Sequence, residues 1–202
     1  MDTQDFIALA MLLPLIGTVM IWMSGPRPNQ REVVTVVTAI LTFLCVLQVL
    51  PPVLAGENPT LIIANILPGL QFAFVVEPLG MMFALIASFL WIVTSFYAIG
   101  YMRGHNEPNQ TRFYMCFAIA ISSAIAVAFS GNMLTLFIAY EVLTLSTYPL
   151  VTHNQDEEAK RAGRTYLGIL LTSSIGLLLV AILWTWFAAG TLDFTKGGIL
   201  KG

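Results

Sequence analysis

This sequence is poor in charge. Only 10% of its 202 residues are Asp, Glu, Lys or Arg, against roughly 25% in water-soluble chains. Hydrophobic residues make up 57%, and the mean hydropathy is +0.83. Those values exclude a soluble domain and describe an integral membrane protein. The net charge is only −2, with no basic stripe or basic–aromatic module, which excludes nucleic acid as a partner. Cysteine is scarce too. Cys45 and Cys116 both lie in apolar runs and read as small buried hydrophobes rather than a disulfide or metal pair. No nucleophile–base arrangement, phosphate loop or cofactor fingerprint is present, so neither catalysis nor a cofactor or metal is expected within this chain. The N-terminus, MDTQDFIALAMLL, carries acids where a signal peptide would carry basic residues, so the first apolar run is expected to be a retained span.

A spanning helix needs about 20 mostly apolar residues. Six segments meet that length: Phe6 to Ser24, Val33 to Leu54, Leu79 to Gly100, Phe113 to Ser130, Met133 to Val151, and Arg164 to Ala188. Gly25-Pro26-Arg27-Pro28 ends the first, and Pro51-Pro52 is expected to break the end of the second. Gly131-Asn132 reads as a tight αL-type turn joining the fourth and fifth into an antiparallel hairpin. Pro14 inside the first helix is tolerated where neighbours re-satisfy the freed carbonyl. Between Gly56 and Pro78, Leu61 to Leu67 is too short to span, and Gln71 to Val76 is rich in β-branched and aromatic residues. That stretch reads as an interfacial loop with a short strand or hairpin.

Orientation follows from the basic residues. Seven of nine fall after the first, third and fifth helices: Arg27, Arg31, Arg103, Arg112, Lys160, Arg161 and Arg164. The tail carries Lys196 and Lys201. The basic loops are therefore expected to be cytoplasmic, both termini outside, and the protein a multi-pass one of the plasma (inner) membrane. The expected fold class is all-α integral membrane with six transmembrane helices. Its parts are two N-terminal helices (1–55), an extracytoplasmic loop (56–78), four helices (79–188) and a tail (189–202).

Inside those runs one charged side chain stands out, Glu141, near the middle of the fifth. A charge at the bilayer centre costs about 2.5–3.5 kcal/mol on insertion scales, and such residues ordinarily hold, pass or sense protons or ions. At helical spacing Phe137, Thr144 and Tyr148 share its face. Ser122 and Ser123 in the fourth helix and Thr172, Ser173 and Ser174 in the sixth are mid-span hydroxyls that can line a hydrated path, although such residues also serve helix packing. Thr144, Tyr148, Ser123 and Ser173 are the candidates for supporting polar groups. His153, just past Pro149, is a candidate for proton exchange with bulk water, set against the plainer reading of an exposed boundary histidine. The run from His153 to Glu158 reads as a solvated linker capping the sixth helix. Every Lys and Arg is read as lying in a loop or tail. Glu141 is thus expected to work as a neutral acid or to meet a cation from another polypeptide. Bringing a cation close ionises such a site, and withdrawing it lets the site reload a proton.

An ordered set of motifs carries a resemblance. Glu77-Pro78-Leu79-Gly80, Trp91, Ser95 and Tyr97 lead into Gly100-Tyr101-Met102 and Arg112-Phe113. Next come Ser130-Gly131-Asn132, Leu136-Phe137, Tyr140-Glu141 and Leu145-Ser146-Thr147-Tyr148-Pro149-Leu150. This set resembles the N-terminal part of the antiporter-like membrane subunits of respiratory complex I, Mrp-type cation/proton antiporters and membrane-bound hydrogenases, with the D-like Mrp subunits the nearest branch. The resemblance implies the first six helices of a 14-helix fold. It gives Glu141 the part of a proton-path glutamate paired with a lysine on a seventh helix.

Leu192-Asp193-Phe194 and Gly197-Gly198-Ile199-Leu200 look like the family's linker into that seventh helix, and no residue here takes the lysine's part. The function this implies is a subunit of a proton/cation translocation complex that supplies the glutamate of a Glu–Lys path. The alternative is a non-transporting scaffold subunit. Implied partners are other membrane subunits, including a chain bearing the intramembrane lysine, together with protons, Na+ as a candidate ion, and lipids. If the complex is redox-linked, its redox groups belong to other subunits.

Overall fold

The computed structural model describes residues 2–67 and 69–200; Lys201, counted above in the tail, lies outside them. Six long helices run α1 Thr3–Met23, α2 Pro28–Leu54, α3 Pro78–Gly104, α4 Gln110–Ala128, α5 Met133–Val151 and α6 Glu157–Ala189. Each is long and apolar enough to cross a bilayer. Between α2 and α3, β1 (Thr60–Leu67) pairs antiparallel with β2 (Leu70–Val75). The helices begin where local chemistry allows. Pro28 and Pro78 open α2 and α3, where the missing N–H costs nothing. Asp156 caps α6 by accepting from the Ala159 N–H at 2.6 Å, with Glu157 and Glu158 in its first turn.

Two expectations about breakers are corrected. Pro51 and Pro52 do not end α2, which runs through them to Leu54. The Gly131-Asn132 turn is not left-handed either: Asn132 is extended at φ −153°, ψ 168°, and Gly131 is absent from the positive-φ glycines. Glycine is needed there for closeness, because a Cβ on Gly131 would sit 2.8 Å from Val75 Cγ2 and 3.2 Å from the Ala73 carbonyl oxygen.

The bundle has two distinct ends. At one, the α1–α2, α3–α4 and α5–α6 connections meet: Arg31 reaches Gln110 and Thr111, Arg103 reaches Asn29 and Glu32, and Arg112 donates to the His153 carbonyl. At the other, the hairpin clasps the α4–α5 turn. Val75 N–H donates to the Phe129 carbonyl at 2.7 Å and Gly131 N–H to the Ala73 carbonyl at 3.0 Å. Met133 N–H then donates to the Leu192 carbonyl at 3.0 Å, so the segment after α6 joins the same end.

α1 packs between α2 and α4. Gly17 permits the first contact, since any Cβ there would lie 2.5 Å from Thr38 Cγ2. Ser122 Oγ, donating to the Met11 carbonyl at 2.6 Å, ties the second. One apolar cluster, with Ile7, Met11, Val46, Phe74, Met81 and Phe129, fills the hairpin end. Another, with Ile21, Ala39, Trp91, Ala98, Tyr114 and Ala118, fills the arginine end. Cys45 and Cys116 are free and half-buried. Among the described residues, the helix that α6 chiefly packs against is α5, and its Leu177, Trp184 and Phe187 are exposed.

Candidate proton site on the fifth helix

α5 holds Glu141 because its start is fixed from outside the helix. Asn132, fully buried, accepts from the Thr135 N–H at 2.9 Å and donates through Nδ2 to the Gln71 carbonyl at 2.7 Å. Thr135 Oγ1 in turn accepts from the Ala73 N–H at 3.2 Å. The hairpin thus sets the depth and rotation of α5, a coupling that helical propensity alone would not supply.

The stripe that carries Glu141 turns toward α6. Phe137 packs into the cluster of Leu70, Ile182 and Leu192. Near the opposite end of the helix, Tyr148 lies against Gly163, whose added Cβ would sit 3.1 Å from Tyr148 Cε2. Thr147 Oγ1 and Tyr166 Oη lie 3.3 Å apart across the same seam. Since the two helices run antiparallel, Glu141 lies at the level of Ser173 and Ser174. There α6 changes winding: Ser174–Leu179 is π-helical, a local widening that recurs at functional sites.

Glu141 itself is half-buried, and its Oε1 is wholly buried with no hydrogen-bond partner. Among the described residues no Lys, Arg or His makes an ion pair with it. A buried carboxyl oxygen without a donor costs about 1–3 kcal/mol, and none of the described residues supplies one.

The supporting residues divide. Thr144 is buried and Tyr148 half-buried on the glutamate's own face. Ser123 Oγ is committed to the Ile119 carbonyl at 2.9 Å on its own helix, and Ser122 is turned to α1. Thr172 and Ser173 are exposed, Ser173 Oγ bonding the Leu170 carbonyl at 2.8 Å, while Ser174 is buried. His153 is half-buried, not an exposed boundary residue. Its Nε2 is 3.8 Å from Glu107 Oε2, the Phe113 ring meets it edge-on at 5.9 Å, and neither ring nitrogen has a hydrogen bond.

The expectation that every basic residue lies in a loop or tail is corrected, because at this end the helices extend beyond the apolar runs. Arg31 and Glu32 are inside α2 and buried, Arg103 closes α3, and Lys160, Arg161 and Arg164 belong to the first turns of α6. Arg103 grips Glu32 with Nε to Oε1 at 2.8 Å and Nη2 to Oε2 at 2.6 Å, while Arg31 Nη2 stands 3.6 Å from Oε1. Arg31 also sits over the Tyr114 ring, 5.3 Å from its centroid. This cluster is a second buried charge site that sequence reasoning missed. Pro28, at a position where proline opens helices, was the available signal that α2 already includes Glu32.

Comparison with known proteins gives two family models. One, described as NADH:quinone oxidoreductase/Mrp antiporter, TM, matches residues 130–199. The other, described as NADH-Ubiquinone oxidoreductase (complex I), chain 5 N-terminus, matches residues 68–114. The putative antiporter subunit mnhD2 of Staphylococcus epidermidis is 24% identical over 192 residues, covering 95% of this chain and 38% of that protein. Hydrogenase-4 component B of Escherichia coli is 28% identical over 138 residues, covering 67% of this chain and 20% of that protein. A chain of the membrane-bound sulfane sulfur reductase, an archaeal respiratory membrane complex, superimposes with a TM-score of 0.79 at 20% identity. The match covers 93% of this chain and 38% of that one. The chain therefore spans well under half the length of these relatives. Its sequence is similar to antiporter-like membrane subunits of the complex I superfamily, and the packing of its six apolar helices shares their fold.

Proposed function

We propose that this chain is a subunit of a multisubunit proton/cation translocation complex, and that Glu141 is the intramembrane carboxylate of its proton path. The observation that carries the proposal is the Glu141 Oε1 atom, buried without a donor on the α5 face that meets the π-helical turn of α6. A cation supplied from outside these 202 residues, such as a lysine on another subunit, would complete the pair and make the site switchable. Thr144 and Tyr148 share its face of α5 without bonding its buried oxygen, and Ser174 lies at its level on α6. Ser123 and Ser173, each bonded to its own helix, contribute little. His153, close to Glu107 and Arg112, stands where protons would exchange with water at the arginine end. Helices α3 to α6 form the four-helix part of the first repeat of the larger fold. The arginine end faces the cytoplasm of a plasma-membrane complex, in line with the gathering of Arg31, Arg103 and Arg112 there.

The test is Glu141→Gln in membrane vesicles of the native host. Cation-driven or redox-driven proton transport is followed, and assembly is checked on native gels. Transport falls at least about a hundredfold, the low end of what loss of a proton-transfer group causes, while the complex assembles normally. Undiminished transport would leave only the scaffold role.

A further inference from the structure

The arginine end carries a pocket that the proton path does not use. Gly25 and Pro26 stop α1, Pro28 starts α2, and the short α1–α2 connection leaves Arg27 exposed beside the end of α3. Arg27, Asn29, Gln30, Arg103, Asn106 and Gln110, with Pro28, line a cavity of about 720 Å³. No carboxylate is among these lining residues. Glu32 lies behind the wall with both oxygens held by Arg103, and Glu107 faces His153. Three arginines (Arg27, Arg31 and Arg103) therefore face one acid, leaving positive charge at the pocket. Among the described residues, the Arg27 guanidinium hydrogen-bonds only Gln30 Oε1, at 3.3 Å. The start of α2 adds to the field, because no side chain caps its first amides.

The surroundings identify the ligand. The pocket sits where spanning helices leave the bilayer, and the exposed Tyr97 and Tyr101 stack along α3 just below it, continued by His105. Tyrosines in that position mark the headgroup level. Asn29, in the pocket wall, begins a face of α2 that continues through Val33, Val37 and Leu41, all exposed. A polar, cationic pocket at the head of an exposed apolar helix face suits a molecule with an anionic head and a hydrocarbon tail. We propose that this pocket binds the phosphate of an anionic phospholipid, with Arg27 and Arg103 supplying charge and the Val33–Val37–Leu41 face seating an acyl chain. Free phosphate offers the same charge but makes no use of that face.

The experiment is native mass spectrometry of the delipidated full chain, titrated with phosphatidylglycerol or phosphatidylcholine. Wild type prefers phosphatidylglycerol. Arg27→Gln weakens phosphatidylglycerol binding about fivefold, the worth of one basic residue near an anionic surface, and leaves phosphatidylcholine unchanged. Arg27→Lys keeps the preference, and Val37→Gln weakens phosphatidylglycerol with the arginines intact. Folding is spared because Arg27 is exposed and its one side-chain hydrogen bond among the described residues is to the exposed Gln30. Equal affinity of wild type and Arg27→Gln for phosphatidylglycerol overturns the proposal. So does displacement of the lipid by inorganic phosphate, which would make this a soluble-anion site.

Discussion

Replacing Asn132 by Ala removes the residue through which the hairpin holds the start of α5. Two bonds go at once: the cap on the Thr135 N–H at 2.9 Å and the donation to the Gln71 carbonyl at 2.7 Å. Losing an N-cap costs typically about 1 kcal/mol. Leaving a part-buried carbonyl without its donor costs about 1–3 kcal/mol more, and Asn132 is 0% exposed, so water cannot easily replace the amide. Together the loss is about 3 kcal/mol. At roughly 2–4 °C per kcal/mol for a chain of this size, the midpoint falls by about 6–12 °C. Thermal unfolding in detergent, followed by tryptophan fluorescence, reads it directly. Asn132→Ser restores the cap acceptor but not the reach to Gln71, and recovers about 1 kcal/mol of the loss. A midpoint for Asn132→Ala indistinguishable from wild type, or a Ser variant no better than Ala, would refute the view that this side chain fixes α5.

Gly163→Leu forces α6 away from Thr152 and Tyr148, the contacts its missing Cβ permits. Overpacking of that kind costs about 1–3 kcal/mol, and a cysteine cross-link engineered across the α5–α6 seam should form more slowly. Ser122→Ala loses the 2.6 Å bond that joins α4 to the α1 carbonyl of Met11. Bonds between membrane helices average about 0.6 kcal/mol, so the midpoint shift should be small and clearly less than that of Asn132→Ala.

The spans were legible because bilayer thickness imposes a length that composition reveals directly. Their starts at the arginine end were not, since first turns rich in Arg, Glu and Lys read as loops until a partner is seen. Arg103 and Glu32 are 71 positions apart, and nothing local in either run points to the other. Glu141 was legible for the opposite reason: a lone charge in an apolar run needs no partner to be noticed. The π-helical turn of α6 has no compositional mark, because Ser174–Leu179 would suit an α-helix equally well. Gly131-Asn132 was recognised as a turn, but for the wrong physical cause. Close backbone approach by the hairpin, rather than a left-handed conformation, demands the glycine there, and burial of its amide demands the asparagine.

The most direct test of the central claim is an experimental structure of the native complex containing this chain, resolved well enough to place the Glu141 carboxyl. The account predicts a Lys or Arg nitrogen from outside these 202 residues, or a chain of ordered water, within about 4 Å of the oxygen that is unpartnered here. A carboxyl packed against lipid tails or apolar side chains, with neither cation nor water beside it, would contradict it.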